Sequence, residues 1–223
     1  MNMNQAAQYA AQRAALANDL TPQQLMVLDA FQSQVYVQGQ LDVQHEPLYD
    51  TVTLAAGAQV TELSTALFTN VGPASGKTLA QTNMTQQRRL LAPEAFSIFS
   101  IRLAWEENIV LADILAILWG FAFRFWLGRK DYNTGPIWHY NAGGGLNAAT
   151  IAAVPAVALY TNGATSREAM HKLAIPLVIE NQSEFFANLV GTAYTLVAAG
   201  GGTLGTGLAL MCLLDGLHAR GIQ

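Results

Sequence analysis

Charge is what this chain of 223 residues has least of: Asp, Glu, Lys and Arg together make up 12% of it. That is about half the usual share for a soluble domain. A surface so poor in charge is ordinarily covered, by neighbouring subunits or by lipid. With net charge −4 and a pI near 5.5, the chain has no electrostatic footprint for nucleic acid. A single cysteine, Cys212, excludes an internal disulfide, and its apolar surroundings predict a buried thiol. The four histidines, His45, His139, His171 and His218, are dispersed and supply no metal-ligand spacing. Glu106 and Glu107 are adjacent, so their side chains diverge and make no two-carboxylate acid–base site. The N-terminus opens on Asn and Gln without a basic segment and apolar core, the expectation being no secretory signal. The uncharged stretch between Glu184 and Asp215 is long enough to span a bilayer, but Gly191, Gly200–Gly202, Gly205 and Gly207 break it. Two strands joined by a glycine turn account for it better than a transmembrane helix. In the apolar run Ile109 to Leu127, Asp113 and Arg124 argue the same way.

The remaining pattern is mainly β. Residues 1–47 read as a helical or extended N-terminal arm: Thr21-Pro22-Gln23-Gln24 is a capped helix start, and Leu25, Leu28, Phe31 and Val35 follow at helical spacing. Residues 48–223 read as one β domain. Strands are predicted at Thr51–Leu54, Ala66–Val71, Ser97–Trp105, Phe121–Leu127, Thr150–Tyr160, His171–Ile179, Phe185–Val197 and Leu204–Leu217. Alternation puts Phe99, Ile101, Leu103 and Trp105 on one face, and Leu173, Ile175, Leu177 and Ile179 on another. Val110–Trp119 suits either a strand or a helix. Some eight strands with glycine and proline turns predict an eight-stranded sandwich, barrel or jelly roll.

Two sequence matches invite a catalytic reading and fail on context. Gly72-Pro-Ala-Ser-Gly76-Lys77-Thr78 is a phosphate-loop lookalike with one residue too few between its glycines. Lys77 is therefore expected to be dispensable for stability. Gly200-Gly201-Gly202-Thr203-Leu204-Gly205 satisfies the dinucleotide fingerprint, but residues 206–223 cannot hold the rest of a βαβ unit. The expectation is no catalytic, cofactor-binding or metal residue, and no enzyme. Arg88-Arg89 reads as a solvated loop, with a subunit-interface ion pair as the other option. Arg124 and Trp126 lie opposite the phenylalanines of their strand, which predicts an amphipathic face packed on a neighbour.

The most distinctive segment is Gly128 to Gly145, GRKDYNTGPIWHYNAGGG, after the alternating Phe121, Phe123, Phe125 and Leu127. Its glycine and proline clusters predict a long, rigid, non-helical excursion at a sheet edge, with Gly143, Gly144 and Gly145 needed for backbone shape. Phe121–Gly145, Ile175–Phe185 and Leu210–Gln223, about a quarter of the chain, together resemble the single jelly-roll capsid proteins of tailless icosahedral phages with an internal membrane. That resemblance implies a jelly-roll virion protein, assembled in the host cytoplasm and self-associating into homo-oligomeric capsomers and a shell. It leaves room for a second capsid protein and contact with an internal membrane, without sequence-specific nucleic-acid binding. Two other readings compete with it: a carbohydrate-binding or cupin-like β-sandwich, and a membrane-associated structural or pore protein.

Overall fold

The computed structural model describes residue 29 and residues 41–105, 109–143, 145, 147–150, 158–164, 172–197 and 207–221. The helix start at Thr21, the Glu106-Glu107 pair, Gly144 and the run Gly200–Gly205 lie outside the described residues. Among those described, the protein is mainly β, with one α-helix. The strands are β1 (Leu41–His45), β2 (Leu48–Ala55), β3 (Gln59–Val60), β4 (Ala95–Trp105), β5 (Phe121–Leu127) and β6 (Lys130–Pro136). They continue as β7 (Asn147–Thr150), β8 (Ala158–Thr161), β9 (Lys172–Ile179), β10 (Phe185–Gly191), β11 (Tyr194–Thr195) and β12 (Gly207–Gly221). The helix, α1 (Leu111–Gly120), resolves the ambiguous segment, and no described helix is long and apolar enough to cross a membrane.

The larger sheet runs β12-β4-β9, with the other side of β12 shared end to end by β2 and β1. The smaller sheet is β10-β5-β6, and every pairing between named strands is antiparallel. Phe123, Phe125, Phe185 and Leu189 from the small sheet meet Ile101, Leu103, Leu210, Cys212 and Leu214 from the large one in a single core cluster. Burying each such side chain contributes about 1.5–3 kcal/mol. Cys212 is free and wholly buried, and burial pushes its thiol well above the ordinary range.

Several sequence expectations change in detail. The sheet begins at Leu41, ahead of Leu48, because β1 completes the side of β12 that β2 leaves open. Ala66–Val71 is not a strand; it touches the small sheet through a lone bridge, Leu67 to Ala187. The expected Phe185–Val197 strand ends at Gly191, and β10 and β12 lie in different sheets, so they form no hairpin. The segment after Gly128 does lie at a sheet edge, but less as an excursion than as the edge strand itself: seven of its residues are β6, paired along β5, and Ile137–Tyr140 form a 3-10 turn. Gly143 does earn its identity: a Cβ there would sit 2.4 Å from the Asn162 carbonyl oxygen, and Gly145 has φ +104°. Asn162 in turn brackets Trp105, accepting from its N–H at 2.8 Å and donating to its C=O at 2.9 Å.

Bulges explain the failed alternation. Register shifts at Ile98/Ser100 and at Asp215/Gly216 reverse the phase of β4, so Phe96 and Ile98 fill the core before the shift and Ile101, Leu103 and Trp105 after it. Phe99 is displaced to a half-buried position, and on β9 the same irregularity leaves Ile175 64% exposed. At the bulge, a Cβ on Gly216 would lie 1.9 Å from the Ser97 carbonyl oxygen, so only glycine lets β12 approach β4. Gly216→Ala is expected to cost about 2–3 kcal/mol through overpacking, read as a lowered urea midpoint with an unchanged slope.

Candidate interaction surface

The phosphate-loop lookalike folds inward. Pro73–Ser75 form a 3-10 turn, after which Lys77 Nζ pairs with Asp50 Oδ1 at 2.7 Å. Asp50 is wholly buried on the core side of β2, and its Oδ2 accepts the Phe68 N–H at 2.7 Å. Lys77 therefore spends its charge on a carboxylate of its own chain. Burial raises the Asp50 pKa above its usual value, against the lowering pull of Lys77 and the Phe68 amide. This overturns the expectation that Lys77 is dispensable, because removing it strands a buried charge.

Arg88 stays partly solvated, its side chain 41% exposed, yet it is also paired within the chain. Its guanidinium pairs with Glu184 at 3.0 Å and lies 4.8 Å above the Phe186 ring. Phe186 stacks on Trp126, with centroids 5.9 Å apart and planes 9° off parallel, and the Arg124 guanidinium lies over the Trp126 ring at 5.0 Å. Arg124 also reaches Glu62 at 3.1 Å. The β5–β10 register puts Trp126 opposite Phe186 and Arg124 opposite Asn188, so the row Glu62, Arg124, Trp126, Phe186, Arg88, Glu184 follows from strand pairing. Its two cations and two anions balance, while Glu62, Arg88 and Glu184 stay about half exposed.

Exposed apolar groups occur at several places, among them Leu63, Leu79 and Ile175, and one group of them lies on and beside α1. On α1, Ala112, Leu115 and Trp119 fall within about 60° of arc at 100° per residue, and all three face solvent. Trp119 is 79% exposed and Leu115 47%. The 3-10 turn packs beside α1 and presents Trp138, while β6 presents Tyr132. The helix has one charged residue, Asp113, and it is buried: its Oδ1 accepts from Tyr194 Oη at 2.9 Å and from the Val197 N–H at 3.0 Å. Burial and the facing carboxylate push the Tyr194 phenol upward. Fastening the helix to β11 thus removes its charge from the surface and leaves a face of Leu and Trp. Beneath it, Tyr140 is held by Asn133 at 2.6 Å and packs on Phe123, and burial lifts its pKa to about 12.

Of the histidines, His139 makes edge contacts with Trp138 and Tyr140. His218 is buried among Glu46, Glu94 and Arg220, and not beside Asp215, which binds Arg102 through two hydrogen bonds of 2.5 and 2.6 Å. Sequence spacing could not have signalled the Asp50–Lys77 or His218–Glu46–Glu94 groupings. The exposed face of α1 was legible once the segment is taken as a helix. Comparison with protein-family models, with curated proteins and with solved structures finds no match.

Lys77→Ala is expected to cost about 3 kcal/mol or more at pH 7. A carboxylate whose folded pKa is raised loses stability as pH rises through the window between its unfolded and folded values. The variant, deprived of the lowering ammonium, should regain much of its deficit as pH falls toward the ordinary carboxylate value. Urea unfolding of wild type and variant at pH 7 and pH 5 checks both the size and the direction.

Proposed function

We propose that the chain is a structural virion protein, a jelly-roll subunit that self-associates into capsomers and an icosahedral shell. The observation that carries this reading is the charge-free face of Leu115 and Trp119, flanked by Trp138, on a chain with 12% charged residues. Exposed aromatic and aliphatic groups clustered in one place mark a surface that a partner covers. The ion pairs Arg124–Glu62 and Arg88–Glu184 already engage the row on β5 and β10, which favours the helix as the contact face.

The chain path supports the jelly-roll form of the body. β2 lies in the large sheet, Leu67 bridges to the small one, β4 returns to the large, and β5 and β6 belong to the small. Then β9, β10 and β12 go large, small, large, with the last strand seated between the first and the third. Such alternation between the two sheets, with β12 filling the gap between β2 and β4, favours a path of two nested Greek keys. The exposed apolar face of α1 favours the shell reading over a cupin-like or carbohydrate-binding one.

Light scattering on the eluting protein and negative-stain microscopy test the proposal. The native chain is expected to form regular multimers or shells. The double substitution Leu115→Glu with Trp119→Glu, on exposed positions, is expected to yield small species with an unchanged far-ultraviolet circular dichroism spectrum. A native chain that stays monomeric at high concentration would sink the reading.

A further inference from the structure

A second cluster of charge sits where β1 joins β12, and nothing in the shell reading calls for it. His218, on β12, lies across from Gln44 of β1 and Phe96 of β4. Its imidazole is buried, with the Phe96 ring against it at 5.7 Å. Arg220 Nε donates to His218 Nδ1 at 3.1 Å, so the neutral ring must carry its proton on Nε2. That Nε2 is buried without a hydrogen-bond partner, 3.7 Å from Glu94 Oε2, which is too far for a bond. On the other side, Glu46 Oε2 is 3.6 Å from Nδ1 and is also bound by the Arg220 guanidinium. The remaining ionisable positions nearby are His45, exposed and in register with Leu217, and Asp42, in register with Arg220.

This arrangement has two states. A neutral His218 accepts from Arg220, and Arg220 in turn holds Glu46, the residue that follows β1. A protonated His218 carries a hydrogen on Nδ1 that collides with the Arg220 N–H, so the guanidinium must leave. The imidazolium would then attract the carboxylates of Glu46 and Glu94 flanking it. We infer that His218, Arg220, Glu46 and Glu94 form an acid-sensitive latch that secures β1 to β12. Burial, first, and Arg220, second, hold the imidazole below its ordinary value, outweighing the opposite pull of Glu94 and Glu46. For a histidine lowered by folding, the neutral form contributes its stability above the unfolded value of 6.5, and that contribution is lost as pH falls below it. Acid therefore opens the latch.

Hydrogen exchange of the full chain, followed by mass spectrometry at pH 7.5, 6.5 and 5.5, tests this. Peptides covering Val43–His45 are compared with peptides from β5 after correction for intrinsic rates. Protection of β1 relative to β5 is expected to fall by up to about tenfold per pH unit below 6.5, the limit for one proton. His218→Asn, which keeps an acceptor near the Nδ1 position, should abolish that pH dependence while His45 remains. Arg220→Gln, which removes the charge opposing protonation, should move the fall to higher pH. Unchanged relative protection of β1 across this range would overturn the latch. So would an identical pH dependence in His218→Asn, or a fall that moves to lower pH in Arg220→Gln.

Discussion

The buried carboxylate of Asp50 is the point on which the two sheets are tied. It faces the core from β2, opposite Cys212 on β12, where an uncompensated charge would cost several kcal/mol. Lys77 neutralises it, and the Phe68 amide occupies its other oxygen. Phe68 adopts φ 63°, a left-handed conformation that a bulky residue keeps only when its surroundings compel it. From there the links run on. The Phe68 carbonyl accepts from the Arg88 N–H at 2.8 Å, and the Arg88 carbonyl accepts from Phe185 at the start of β10 at 2.8 Å. One carboxylate on the large sheet thereby positions a loop whose far end aligns the small sheet, and the Phe68 ring meets Phe185 at 5.4 Å to close the core between them.

A similar economy shapes the surface. Buried acids act as fasteners: Asp50 holds the loop after β3, and Asp113 holds β11 against α1. Both carboxylates are withdrawn from solvent, which deepens the scarcity of surface charge that composition already imposes. Some of the charge outside is paired within the chain, as in Arg124–Glu62 and Arg88–Glu184, while Arg89, Arg129, Lys130, Asp131, Lys172 and Glu180 are exposed as well. Exposed pairs of this sort contribute little to stability, about 0–1 kcal/mol each. On α1 the one charged side chain is buried, so the exposed face with Leu115 and Trp119 carries no charge.

Local pattern by itself determined a good deal. The alternation of Phe121, Phe123 and Phe125 specified a half-buried strand because side chains on a strand point to opposite faces with period two, and β5 follows it residue for residue. The isolation of Cys212 in an apolar run specified a buried, unpaired thiol, and the scarcity of glycine in Val110–Trp119 left a helix available. Mainly β composition follows from such runs.

Tertiary structure alone decided the rest, because it depended on which strands became neighbours. The β4 alternation changed phase at bulges set by the pairing with β12 and β9, where Gly216 admits the Ser97 carbonyl, and no pattern within β4 records that. Lys77 found Asp50 across 27 positions, turning an apparent phosphate loop into a core fastener. Arg88 found Glu184 across 96 positions. Periodicity is a property of consecutive residues and survives in the sequence; the identity of a charge's partner is a property of the fold's register, and appears only once distant strands have been laid side by side.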